Sequence, residues 1–455
     1  MILTNDPSRL MLAASLTFSY ALVCLAPFLR QRRKRDAARQ MKAAAAQSPG
    51  WIVAYASQTG NAEELAGQTL ATLRLAGITA SMSELSELSA HDLQRAERVL
   101  FLVSTYGEGD APDGAAAFSA RLMTTALPLD QLHYAVLALG DRAYAQFCGF
   151  GRALDRWLQE QGAQPLFERI EVDRSAAASI EQWRQQLSHL AGTSDAPDWS
   201  APEFETWQLV ERRLLNPGSA GAPVYHIELA PQESAPLPDW LSGDLVQIAA
   251  PADPARPREY SIASMPADGR VHMLVRLHTQ ADGSHGVASG WLTQQAEIGA
   301  TVQLRVRQHR RFRLEQNAQR PLILIGNGSG IAGLRGHLKA RAQTTGQRNW
   351  LLFGERNAQH DYHYRDELQA WQHDGTLECL DMVFSRDQPE RLYVQDRLRA
   401  CAERVRAWVA QDAAIYVCGS LDGMAAGVDA ALQDILGRAL LDELAAAGRY
   451  RRDVY

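Results

Sequence analysis

The chain has 455 residues, more than one ordinary hydrophobic core accommodates and suited to two or three domains. Apolar residues make up 46% and charged ones 22%, the balance of a globular body, and a formal net charge of -6 leaves no basic footprint for nucleic acid. Five cysteines (Cys24, Cys148, Cys379, Cys401 and Cys418) form neither a CxxC pair nor a zinc spacing, which argues for a reducing compartment over a disulfide framework.

From Leu10 to Leu29 no residue is charged, and about 20 apolar positions suffice to span a bilayer as a helix. Arg30, Arg32, Arg33, Lys34 and Arg35 follow at once, whereas Arg9 is the only basic side chain before the run. The bias predicts a single transmembrane anchor over 10–29 in the cytoplasmic membrane, with everything after it in the cytoplasm. A cleaved signal peptide fits less well, because its basic region should precede the apolar run. Residues 30–49 read as a basic, alanine-rich tether.

In 50–191, apolar runs at 51–56, 99–103, 134–139 and 166–172 alternate with helical patterns such as 62–75 and 151–160. That alternation predicts a parallel, doubly wound α/β sheet, whose ligands bind beyond the carboxyl ends of its strands. Three loops leave such ends. Ser57-Gln58-Thr59-Gly60-Asn61-Ala62 opens a helix, where hydroxyls and free N–H groups can hold a phosphate dianion. It lacks the lysine of a nucleotide-hydrolysing loop, which suits a flavin mononucleotide. Ser104-Thr105-Tyr106-Gly107-Glu108-Gly109 offers an aromatic face and flexible glycines. Leu139-Gly140-Asp141, continuing through Tyr144, Phe147 and Cys148, brings a second aromatic.

Residues 192–204 hold a breaker cluster and read as a linker. The segment 205–318 is β-rich, with runs at 208–214, 224–229, 245–248 and 271–277 between Pro and Gly turns, which predicts a small antiparallel barrel. Within it, Arg258-Glu259-Tyr260-Ser261 combines a charge for a pyrophosphate, a ring to stack on a flavin and a hydroxyl for its reactive nitrogen. Gly286-Val287-Ala288-Ser289 starts a helix and makes a second anion site. From 319 to 455 strand and helix alternate again, around the turn Gly326-Asn327-Gly328-Ser329-Gly330. That turn alone fits FAD or NAD equally, and Glu355 lies near where a ribose-binding acid would favour NAD. His360, Asp361 and His363 find no further ligand at useful spacing, so no metal is expected.

Jointly these motifs resemble the diflavin reductases, the family of NADPH–cytochrome P450 reductase and the sulfite reductase flavoprotein alpha-component. The resemblance spans 51–455. It implies a flavodoxin-like FMN domain over 50–191, an FAD-binding barrel over 205–318 and an NADP-binding domain of the ferredoxin-NADP reductase type over 319–455. It puts the loop from Ser57 to Asn61 at the FMN phosphate, Tyr106 and Tyr144 on the two faces of the ring, and Asp173 at the edge of the site. Arg258, Tyr260 and Ser261, with Gly286 to Ser289, would hold FAD. Gly328, Ser329, Gly330 and Arg356 would meet the NADPH pyrophosphate, and Ser385, Arg386, Arg391, Tyr393 and Gln395 its 2′-phosphate. Two arginines, a serine and a tyrosine suit that phosphate better than a bare ribose. Ser261, Cys418 and Asp453 would surround the hydride path, and Tyr455 would stack on FAD and swing aside for nicotinamide.

The chain departs from the family at Ser329 (usually threonine), Gly333 (usually proline) and Arg391 (commonly lysine). It also leaves no room for the helical insertion that P450 reductases carry inside the barrel. Tyr106 looks more like the P450 reductases than some sulfite reductase flavoproteins. The expected function is electron transfer from NADPH through FAD and FMN to a one-electron acceptor, by a membrane-anchored hemoprotein reductase. Alternatives are a sulfite reductase flavoprotein, electron supply to a membrane ferric or siderophore reductase, and a non-catalytic flavin-binding scaffold.

Overall fold

The computed structural model describes residues 50–455 apart from 175, 192–202, 233–234, 255, 281 and 345. The expected anchor (10–29), the tether (30–49) and most of the linker (192–204) lie outside the described residues. Among the described residues no helix is long and apolar enough to cross a membrane.

β1 (Trp51–Ala56), β2 (Ala80–Glu84), β3 (Arg98–Ser104), β4 (His133–Gly140), β5 (Gln164–Pro165) and β6 (Ile170–Asp173) build a parallel sheet in the order β2-β1-β3-β4-β5, with β6 also on β4. β3 is buried from Val99 to Val103 because helices cover both sheet faces. Val99, Phe101 and Val103 meet Phe118 and Trp157 on one side; Leu100 and Leu102 meet Ala62, Leu65 and Trp183 on the other. The strand order reverses at β1. The loops after β1, β3 and β4 therefore converge on one crevice, where the sequence placed its three candidate loops. The run 166–172 is not one strand: β5 ends at Pro165 and only Ile170–Asp173 pairs again.

β7 (Glu205–Leu214), β8 (Val224–Pro231), β9 (Leu245–Ala249), β10 (Arg258–Ser261), β11 (Val271–Arg276) and β12 (Thr301–Arg307) form an antiparallel sheet in the order β10-β9-β12-β7-β8-β11. Its ends are not paired as strands. They meet through the Ala263 N–H, which donates to the His272 carbonyl at 2.7 Å, and through the Ser264 hydroxyl, which donates to the Arg270 carbonyl and accepts from the His272 N–H, so the sheet curls around Trp207, Ile227, Val246 and Leu304. Residues 250–257 alone join β9 to β10, too few for a helical insertion between them.

β13 (Leu322–Asn327), β14 (Asn349–Glu355), β15 (Cys379–Phe384), β16 (Ala414–Gly419) and β17 (Tyr450–Val454) make a second parallel sheet in the order β15-β14-β13-β16-β17. It meets the curled sheet along a polar seam. The His226 Nδ1 is 2.7 Å from the Tyr364 hydroxyl, and Arg335 donates to the Ala263 carbonyl at 2.6 Å while pairing with Glu367. His226, Glu228 and His272 gather their ligand-type atoms within 4.8 Å of one another. Arg270 donates to Glu228 at 2.8 Å, which makes this cluster a hydrogen-bonded network. Burial lowers the pKa of both histidines.

A second buried knot holds the loop after β12. The fully buried Asp244 accepts from Arg313 at 2.6 and 2.7 Å, from the His309 N–H at 2.9 Å and from the Leu241 N–H at 3.0 Å. Removing one partner of such a pair strands a charge in a low-dielectric interior, which costs about 3–5 kcal/mol. Arg313→Met is therefore expected to lower the unfolding free energy by that amount and the urea midpoint with it, read by circular dichroism. An unchanged midpoint would show the pair to be dispensable.

Candidate functional site

A cavity of about 220 Å³ opens at the carboxyl end of the first sheet. Gln58, Thr59 and Asn61 line it from the first loop, Ser104, Thr105, Tyr106 and Gly107 from the second, and Leu139, Gly140, Asp141, Tyr144, Phe147 and Cys148 from the third. The remaining candidates shape the loops. The Ser57 Oγ accepts from the Gly60 and Ala62 N–H groups at 2.7 and 3.3 Å, which needs the left-handed backbone of Gly60 (φ 89°). Glu108 accepts from the Ala145 N–H at 3.1 Å, Asp173 accepts from the Arg142 N–H at 3.1 Å, and Gly109 is packed against Gln146. Cys148 is buried, and burial pushes its thiol up to about 12. The Thr105 hydroxyl oxygen is buried without a partner at this wall, a polar atom that a flavin edge can satisfy. The sequence reading missed Gln146, Arg174 and, from the other end of the chain, Val454; it had assigned the fourth further wall residue, Tyr455, to FAD.

Three of the four hydride-path candidates come together, from three different strands. The Ser261 hydroxyl at the end of β10 donates to Asp453 Oδ2 on β17 at 2.9 Å, and the Cys418 thiol on β16 lies 3.7 Å from the same oxygen. All three are buried. Burial, then the Asp453 carboxylate, raises the Cys418 pKa well above its ordinary value, so the sulfur remains a protonated donor. Tyr455 stands apart: its N–H donates to the Gly419 carbonyl at 3.1 Å and its hydroxyl to Ser329 Oγ at 3.2 Å. The C-terminal ring thus links the FMN cavity to the glycine-rich turn. Of the FAD set, Arg258 and Tyr260 lie on β10 beside Ser261. Gly286 precedes the short helix Val287–Gly290, whose Ala288 and Ser289 are buried; the Ser289 hydroxyl accepts from the His278 N–H at 3.2 Å.

On the nicotinamide-nucleotide side, Gly328, Ser329 and Gly330 form a tight turn that opens the helix Ile331–Ala342. Gly330 abuts the Cys418 carbonyl, a contact that excludes any larger residue. Strand-end loops at Arg356 and Arg386 lie side by side, joined from the Arg386 N–H to the Arg356 carbonyl at 2.8 Å. Ser385 is buried there and Tyr393 is exposed. Among the described residues no carboxylate pairs with Arg386 or Arg391, so both guanidiniums are available to a phosphate. Gln395 instead packs against Gly427.

The two halves dock through charge. Arg305 pairs with Glu64 through two 3.2 Å contacts, Arg310 with Glu63 at 3.4 Å, Arg311 with Glu84 at 2.5 Å, and Arg452 with Asp113. The His309 Nε2 is 3.0 Å from the Gln58 carbonyl oxygen. Arg307 stands beside Gly60 of the phosphate loop, its buried Nη2 without a partner. Tyr106, a wall of the FMN cavity, also packs against the core of the third sheet. Burial raises the Asp113 pKa, but the adjoining Arg452 outweighs it and holds the carboxyl below its ordinary range. No local pattern announces these residues, since their partners lie about 230–340 positions away.

Asp453 is the shared acceptor of the buried cluster. Asp453→Asn is expected to slow FAD reduction by NADPH about ten- to a hundredfold, since hydrogen bonds to a charged group are worth about 1.5–3 kcal/mol. Stopped-flow absorbance reads that rate; an undiminished rate removes Asp453 from the hydride path.

Residues 53–184 match the family model for flavodoxin, and residues 324–430 that for the oxidoreductase NAD-binding domain. The sulfite reductase (NADPH) flavoprotein alpha-component of Vibrio cholerae serotype O1 is 30% identical, over 90% of this chain and 88% of its own length. Those of Neisseria meningitidis serogroup A and Yersinia enterocolitica are 29% and 28% identical, over 89% and 88% of this chain and 89% of theirs. The Vibrio alignment runs over 543 positions, against about 410 residues of this chain, so the relative carries well over a hundred positions with no counterpart here. With FMN in its flavodoxin half and FAD and NADPH in the other, the chain belongs to the diflavin reductase family and is similar to sulfite reductase flavoprotein alpha-components.

Proposed function

We propose that this NADPH-dependent diflavin oxidoreductase is the flavoprotein of a sulfite reductase, delivering electrons to a hemoprotein partner. This corrects the hemoprotein-reductase emphasis drawn from Tyr106 and from the N-terminal segment. The observation that carries the reading is the similarity over both halves to relatives named as sulfite reductase components. The bound flavins accept a hydride and release electrons singly, while the chain binds, orients and shields them.

Arg386 and Arg391 hold the 2′-phosphate of NADPH, and the Gly328–Gly330 turn leaves backbone room for its pyrophosphate. Ser261 and Cys418 present hydrogen donors gathered by Asp453 at the hydride site. Tyr455, tied only through Ser329 and its backbone N–H, is free to swing from the nicotinamide path. A membrane-bound hemoprotein reductase is the second reading, supported by the uncharged run 10–29 and the basic cluster behind it. Membrane fractionation of the full chain checks that location: recovery in the supernatant removes the anchor.

Mixed with the hemoprotein component of a sulfite reductase, the enzyme is expected to reduce the heme at the expense of NADPH and to support sulfite-dependent NADPH oxidation. Reduction of ferricyanide alone, with the heme left oxidised, would refute the assignment. Arg386→Ala is expected to raise the Michaelis constant for NADPH about ten- to a hundredfold, one charge-assisted bond being worth about 1.5–3 kcal/mol. NADH use should stay level. Equal loss with both cofactors would move Arg386 from the 2′-phosphate to the fold or the pyrophosphate.

A further inference from the structure

We propose that Arg452 sets the reduction potential of the FMN, and that it does so only while the two halves are docked. It acts through Tyr106, as a positioning residue belonging to neither flavin site. The proposal rests on FMN occupying the cavity of the first sheet.

Side chains alternate along a strand. Asp453 on β17 turns to Ser261 and Cys418, so its neighbour Arg452 turns the other way, toward the FMN half. There the Arg452 guanidinium carbon lies 5.9 Å from the centre of the Tyr106 ring and 5.6 Å from that of Tyr450. It pairs with Asp113 through Nε at 3.2 Å and through Nη2, and lies 3.8 Å from Asp429. Tyr106 is itself a wall of the FMN cavity. One aromatic ring thus has the cofactor's cavity and a cation as neighbours. The Arg452 and Asp113 side chains are 21% and 19% exposed, so solvent screens their charges less than those of a surface pair.

Each electron that enters a flavin adds negative charge, and a nearby cation stabilises that charge. In the docked chain Arg452 supplies the cation and Asp113 offsets part of it. When the halves separate, Arg452 leaves with β17, whereas Asp113 stays behind on the helix Asp113–Arg121 of the FMN half. Arg311, the other cation acting on Asp113, leaves too. The surroundings of the FMN then become more negative. Docked, the FMN is the better acceptor; released, it is the stronger donor. Linkage requires the converse: reduced FMN favours the docked arrangement by the same factor.

Spectroelectrochemical titration of the full-length holoenzyme, resolving the FMN and FAD bands, tests this. In Arg452→Gln the reduced-to-oxidised ratio of FMN at a fixed potential is expected to fall about tenfold, the scale of a unit charge about 10 Å away at an effective dielectric of about 20. For a one-electron step that is about 59 mV. Arg452→Lys should keep most of the native value, and Asp113→Asn should not lower it. FAD should titrate as in the native enzyme in all three. Raising the salt concentration should lower the native FMN potential and shift that of Arg452→Gln less, since there only Arg311 is lost on separation. The proposal is overturned if Arg452→Gln leaves the FMN potential unchanged. It is equally overturned if FMN and FAD shift together, which would mean Arg452 acts by disturbing Asp453, or if Asp113→Asn lowers the potential as Arg452→Gln does. Flavin extraction beforehand separates the two levels of the argument: native enzyme holding FAD but no FMN would sink the FMN assignment itself.

Discussion

Both the FMN cavity and the Ser261–Cys418–Asp453 cluster depend on the parallel pairing of β17 with β16. The register sets Asp453 opposite Cys418 and Arg452 opposite Val417. A strand's twofold alternation then sends consecutive side chains to opposite destinations. Arg451 donates to the carbonyls of Arg310, Arg311 and Arg313 at 3.0, 3.3 and 2.6 Å, which shapes the loop that reaches the FMN half. Arg452 meets Asp113, Asp453 gathers Ser261 and Cys418, and Tyr455 closes the FMN cavity. A slip of one residue would exchange these destinations and disable every one of them. This edge strand is therefore held hard, by the buried Arg451 and by Val454 in the core of its domain.

The docking surface has a different character. It is built of arginines on one half and carboxylates on the other, with one aromatic, Tyr106, packed against the core of the other half. These pairs are partly buried, and the hydration that each charge regains on separation offsets much of their attraction, so several together hold the halves without locking them. Such polar contacts between domains favour relative motion over permanent association. The reductase half, by contrast, is fused along its seam by the bond from the buried Arg335 to the Ala263 carbonyl and by the contact of the buried His226 with Tyr364. Rigidity is concentrated where hydride transfer needs fixed geometry.

The sequence made the strand-end loops legible because each is a local run with its own chemistry. The loops after β1, β3 and β4 do meet in one cavity, and Ser261, Cys418 and Asp453 do converge despite their separation. Arg452 was not legible: within Arg449-Tyr450-Arg451-Arg452-Asp453 it looks like one basic residue among several, and only the fold assigns it a partner 339 positions away. Gln146 and Arg174 were hidden for a related reason. Each is a polar residue beside recognisable ones, Gln146 between Tyr144 and Phe147 and Arg174 after Asp173, and only the fold turns it to the cavity, Arg174 held by Asp141 at 2.6 Å. Tyr106 pointed to the P450 reductases, whereas the similarity along both halves is to sulfite reductase flavoproteins.

Cys418 carries a final consequence. Peroxide and electrophiles attack thiolates, and oxidation of cysteine to sulfenic acid and beyond begins from that form. A sulfur with no solvent exposure, facing a carboxylate, presents almost none of it. Reduced flavins exposed to air generate hydrogen peroxide as a by-product, so a cysteine in the same protein meets that oxidant. The geometry that keeps Cys418 protonated also makes it a poor target for peroxide.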